Sequence, residues 1–164
     1  MNTLSRSERS NAVMRSYEKV GEDPYPRFVS FVAFALGCFD LVRGFVHAPL
    51  AGSTAALTSG IDLSGPSAGD QIMLMAAFGH ANFITGAALI YLSFTSRAGS
   101  VFMMTVIPVA LAIAGASVNY WTQYFPVQAE FPGRYNMMVY FMACIATVVT
   151  AHLHRWNTQH QTNS

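Results

Sequence analysis

Residues 28–47 read FVSFVAFALGCFDLVRGFVH. The run is apolar around most of a helical circumference and has about the 20 residues that a helix needs to cross a bilayer. Lipid supplies no hydrogen bonds to an open strand edge, so a helix is the consistent choice. Asp40, Arg43 and His47 interrupt the run. Ionisable groups in a membrane span are expensive, which makes them functional-site candidates.

Working outward, three more segments have comparable length and apolarity, at about 71–94, 101–118 and 137–153. Pro108 inside the third should bend it or break one hydrogen bond. Of the 164 residues, 52% are hydrophobic and only 10% charged, against about a quarter charged in soluble domains. The expected fold is all-α: a membrane-embedded four-helix bundle over residues 28–155, up-down-up-down. A polar leader (1–27) precedes it and a disordered tail (156–164) follows. In the leader, Ser7 is placed to cap a short helix through Tyr17, with Pro24 and Pro26 stopping it before the membrane. A cleavable signal peptide is not expected, because the first span lies behind a polar leader and carries charges.

Orientation follows from the basic residues. Arg6, Arg9, Arg15, Lys19 and Arg27 in the leader, Arg97 in the short connection 95–100 and Arg155 in the tail all fall on one side. The other side has Arg134. This bias predicts cytoplasmic N- and C-termini and a multi-pass protein of the bacterial inner (plasma) membrane. Tyr25, Trp156, Tyr120, Trp121 and Tyr124 are expected as interfacial anchors. A net charge of +1 gives no basic field for nucleic acid.

The first outer loop, 48–70, is rich in small residues and carries Asp62 and Asp70 without a basic residue. Ser53 is placed to cap a helical turn over 54–57, ended by Gly60. The second outer loop, 119–136, holds Tyr120, Trp121, Tyr124, Phe125, Phe131 and Tyr135. These read as an aromatic belt or as a lid or docking surface. Cys38 and Cys144 read as small packing residues. His152, His154 and His160 have no acid or cysteine beside them, so no metal set is assigned.

The polar core is more specific. On a helix Asp40 and His47 differ by about 20° around the axis, and Arg43 lies about 60° from Asp40. Ala33, Gly37 and Gly44 share or border that face, the pattern of a helix turned towards its neighbours. Asp40 and Arg43 are at i,i+3, close enough to pair. An ionised group at mid-span costs about 2.5–3.5 kcal/mol. Asp40 is too short to reach the interface, so pairing with Arg43 is the simplest solution. In the second span Gly79, Asn82 and Gly86 share a face with His80 on its flank, and Asn82 or His80 is expected to reach Asp40. Tyr140, Thr147 and Thr150 add weaker polar groups in the fourth span. The ligand candidates are therefore Asp40, Arg43, His47, His80 and Asn82.

Residues 39–47 (FDLVRGFVH), 61–64 (IDLS), 70–71 (DQ) and 78–86 (FGHANFITG) resemble a family of small uncharacterised bacterial four-span integral membrane proteins. The likeness runs over roughly 28–150. It implies an architecture and transfers no catalytic residue. The chain is also similar, through span count and a Gly-rich, Arg-containing first helix, to the DoxX-like four-helix membrane proteins.

Several function classes follow. The first is an accessory or structural subunit that packs in a larger membrane complex or as a homo-oligomer, surrounded by membrane lipids. Methionines such as Met73, Met103 and Met142 suit such surfaces. The alternative is a lipid-, quinone- or small-molecule-binding protein with an outward-facing polar pocket. In it Arg43 holds an anionic or carbonyl group, and Asp40 or His47 moves a proton. An oligomeric transporter is the third. No Ser/His/Asp elbow, phosphate loop or CxxC is present, so no reaction or cofactor is assigned.

Overall fold

The computed structural model describes residues 23–59, 63–124 and 133–161. The leader helix expected over 7–17 and the Gly60 stop lie outside the described residues. The described chain is all helical: α1 (Phe28–His47), α2 (Ala51–Ser59), α3 (Ala68–Thr95), α4 (Arg97–Trp121) and α5 (Gly133–Gln161). Four of the five, all but α2, are long and apolar enough to cross a membrane. They alternate in direction as an up-down-up-down four-helix bundle. This is a multi-pass membrane protein.

Helix overtakes loop at several points. The connection expected over 95–100 shrinks to Ser96 between α3 and α4. The Ser96 side chain accepts from the Gly99 N–H at 3.0 Å, capping α4. The outer loop 48–70 contains α2, longer than the single turn expected at 54–57. Ser53 does not cap it, because it lies inside the helix and donates back to the Leu50 carbonyl at 3.0 Å. Thr54 donates to the Val46 carbonyl at 2.9 Å, tying α2 to the end of α1. The expected loop 119–136 loses both ends to helix, since α4 runs to Trp121 and α5 starts at Gly133. Residues 156–161, expected to be a disordered tail, continue α5. A helix already nucleated in the bilayer extends at little further cost.

The tightest interface joins α1 to α3, and it is made by glycine. The buried residues of α1 are Val29, Ala33, Gly37, Asp40 and Gly44, a stripe at helical spacing. Those of α3 repeat the pattern: Met75, Gly79, Asn82, Gly86, Leu89 and Ser93. Run antiparallel, the two stripes bring backbone to backbone. A Cβ on Gly86 would sit 2.8 Å from the Gly37 carbonyl oxygen, and one on Gly37 would sit 2.9 Å from that of Gly86. Small residues permit this approach, which replaces the absent hydrophobic drive with dispersion contact.

The second pair is looser. α5 contributes Tyr140, Cys144, Thr147 and Ala151 as a buried stripe. α4 contributes Ser100, Val101, Met104 and Pro108, and then leaves the core. Residues 112–121 of α4 are all exposed. Pro108 lies inside an assigned helix, so its cost is one missing backbone hydrogen bond and not a break. An apolar cleft of about 300 Å³ opens here between α4 and α5, walled by Met104, Pro108, Phe141 and Ile145 among others.

Candidate functional site

The candidate site begins with the α1 stripe. Helical spacing puts Asp40 on the same buried face as Gly37 and Gly44, so it enters the bundle and is only 3% exposed. One turn on, Arg43 Nη1 donates to Asp40 Oδ1 at 3.3 Å, the i,i+3 pair expected from spacing. The second carboxylate oxygen is bound from across the bundle: the Tyr140 hydroxyl of α5 donates to Oδ2 at 2.8 Å. A carboxylate with both oxygens occupied by a cation and a hydroxyl is a satisfied acceptor in a place where an unsatisfied one is costly.

Aromatic rings hold the guanidinium. Arg43 Cζ lies 5.7 Å from the Phe39 ring centroid and 5.4 Å from that of Phe78. Rings within about 6 Å attract a cation through their quadrupole, more so when water is absent. Phe39 in turn packs against Tyr140 at 5.8 Å. Residues of α1, α3 and α5 thus fix one arginine.

These residues border a cavity of about 250 Å³ whose lining includes Asp40, Arg43, Phe78, Asn82, Ile107 and Tyr140. All four long helices contribute to it. Asn82 is 7% exposed, and its Nδ2 has no hydrogen-bond partner among the described residues. A buried amide donor left unpaired costs about 1–3 kcal/mol, so such a group calls for an explanation.

The sequence candidates divide accordingly. Asp40, Arg43 and Asn82 meet at this cavity. Asn82, expected to bond Asp40, does not, because Arg43 and Tyr140 already take its oxygens. His80 faces out of the bundle and donates from Nδ1 to the Ala76 carbonyl at 2.8 Å. Two residues before Asn82, it is carried about 200° round the helix. His47 likewise turns to its own helix, donating to the Arg43 carbonyl at 2.7 Å and packing edge-on against Phe78 at 5.6 Å. Both histidines satisfy themselves locally, which leaves neither on Asp40. Tyr140, expected as a weaker polar group, is instead a direct partner of Asp40. Its signal was the spacing Tyr140, Cys144, Thr147, Ala151, a small and polar stripe like that of α1.

Tyr25 also departs from expectation. Instead of anchoring at the interface it is buried, 8% exposed, with His152 edge-on at 5.5 Å and the Arg155 guanidinium 5.6 Å from its ring. The aromatic group at the other end matches a belt in being exposed: Tyr120, Trp121 and Tyr124 pack on one another with centroids 5.3–6.3 Å apart.

Compared with protein families, curated proteins and solved structures, the chain matches none. The functional reading rests on its own residues.

Proposed function

We propose that this protein is a membrane-embedded binding protein whose mid-bundle cavity takes the polar end of an amphipathic molecule. The observation that carries this is Asn82, a buried amide donor without a partner among the described residues, on the wall of a cavity that Arg43 and Tyr140 also line. The polarity of the site selects the ligand class. Asp40, the acceptor, is already bonded twice. Arg43 uses one donor on Asp40 and has no other hydrogen-bond partner among the described residues. With unused N–H donors on Arg43 and Asn82 beside a carboxylate already bonded at both oxygens, the site fits a ligand that accepts hydrogen bonds, such as a quinone carbonyl or a lipid ester. The volume supports a partial occupant. At about 250 Å³ it falls short of the roughly 300–1,000 Å³ of sites that enclose a drug-sized molecule. A ring or ester head fits, with its tail left among the lipids.

The test is chemical analysis of what the protein retains. Purified gently from native membranes, wild type is expected to carry a stoichiometric quinone or lipid. Asn82→Leu should fold at least as well, since it removes an unpaired donor, and should lose that molecule. Equal retention by the two proteins, or bulk lipid alone in both, would overturn the reading.

A second reading is a subunit of a larger membrane assembly. It is favoured by α4, whose residues 112–121 are all exposed. Co-purification of a large stoichiometric partner would support it over the first.

A further inference from the structure

The end of the bundle opposite α2 holds a second, independent site. Here the start of α1, the start of α4 and the last turns of α5 surround an open cleft of about 860 Å³, whose lining includes Asp23, Tyr25, Arg27, Arg97, His154 and Arg155. Its floor is built rather than incidental. Asp23 Oδ2 accepts from the Arg97 backbone N–H at 2.6 Å and pairs with the Arg97 guanidinium at 3.4 Å. Arg97 Nη1 also donates to the Tyr25 carbonyl at 2.6 Å. Arg155 Nη1 donates to the Tyr25 hydroxyl at 3.3 Å, and its guanidinium lies by the same ring.

Among the described residues, the charges that line this cleft do not balance. Among the described residues of its wall Asp23 is the sole acid, and it pairs with Arg97. Arg155 has a neutral hydroxyl and a ring as partners, and Arg27 has no ion-pair partner among the described residues. Two guanidinium groups therefore line one cleft with no acid paired to either among the described residues. Both stand where the spans end: Arg27 immediately before Phe28, and Arg155 just beyond the apolar part of α5. That is the depth of lipid headgroups. It is also the arginine-rich side that the charge distribution predicts to be cytoplasmic, where the leaflet is anionic.

We infer that this cleft binds a phosphate group, supplied by the headgroup of an anionic phospholipid, between Arg27 and Arg155. Guanidinium forks match phosphate oxygens in geometry as well as charge. Arg97 acts differently: it positions Tyr25 and Asp23, and through them the cleft.

Native mass spectrometry of the full chain, released from nanodiscs holding equal phosphatidylglycerol and phosphatidylcholine, tests this. Wild type should retain phosphatidylglycerol in preference. Each arginine is worth about fivefold at a lipid surface, so Arg27→Gln with Arg155→Gln should bring the ratio near parity, while Arg27→Lys with Arg155→Lys should keep most of it. Arg27→Gln alone, an exposed position with no side-chain hydrogen bond or ion pair among the described residues, carries the test if the double variant fails to fold. Equal retention of both lipids by wild type, or a preference unchanged in the glutamine variants, overturns the inference. A further arm distinguishes the source. Phosphatidylglycerol that resists millimolar inorganic phosphate identifies the lipid. Phosphate adducts that displace it identify a soluble phosphate and overturn the lipid assignment.

Discussion

The two helix pairs of this bundle solve the same problem in opposite ways. Lipid tails are as apolar as leucine, so helices in a membrane are not driven together by water. α1 and α3 associate through glycine, with Gly37 and Gly86 close enough that a single added carbon would meet a backbone oxygen. α4 and α5 share a contact that ends near Pro108, beyond which α4 is exposed; Gly115 there has nothing within 4 Å of where its Cβ would be. The same residue type is a packing device in one helix and an unfilled surface in the other. The polar network joins the two halves, since Asp40 and Arg43 come from the tight pair and Tyr140 from the loose one.

The largest expected effect comes from breaking that network at its centre. Asp40→Ala leaves the part-buried Arg43 without its counter-charge and should cost up to about 3–5 kcal/mol. Steric-trap or thermal unfolding in detergent would read it. Removing both charges, Asp40→Asn with Arg43→Gln, should restore much of the loss, and no restoration would mean that the pair is not what holds the site. Next is the glycine seam. Gly86→Ala forces its Cβ against the Gly37 backbone and should cost about 1–3 kcal/mol, reduced by the better helix propensity of alanine, about 1 kcal/mol. A neutral result would show that α1 and α3 can separate slightly without penalty. Smaller again is Tyr140→Phe, which removes the bond between the pairs. Membrane interhelical hydrogen bonds average about 0.6 kcal/mol, so the melting shift should be modest while ligand retention changes clearly. Smallest is Gly115→Ala, where the open surface leaves only the propensity gain, and stability should rise slightly. A destabilising result would show that a partner in the membrane covers this face.

Much of the tight pair was legible. Gly37, Asp40 and Gly44 fall on one face by arithmetic on the helical repeat, and the Asp40–Arg43 pair follows from i,i+3 spacing. Gly79, Asn82 and Gly86 follow in the same way. The loose pair was not, because Tyr140 lies 100 residues from Asp40 and spacing within one helix says nothing about which helix lies opposite. The histidines misled for a related reason. An imidazole near the charges suggests a relay, but His47 and His80 each have a carbonyl of their own helix within reach, and a local bond costs no rearrangement. Tyr25, just before a span, has the position of an interfacial anchor. It is buried because Arg97 and Arg155, from α4 and α5, close over it.

Four apolar helices in alternation, and the small, polar face of α1 and of α3, follow from the amino-acid sequence alone. Length, apolarity and the helical period suffice for that, since lipid leaves no other backbone solution. It took the packing of the helices to bring Tyr140 to Asp40, to leave the Asn82 donor on a cavity wall without a partner among the described residues, and to set Arg27 and Arg155 on one cleft with no acid paired to either among them. Those facts depend on distances between helices, which are fixed by how closely the glycine backbones approach and by where Pro108 ends the packing.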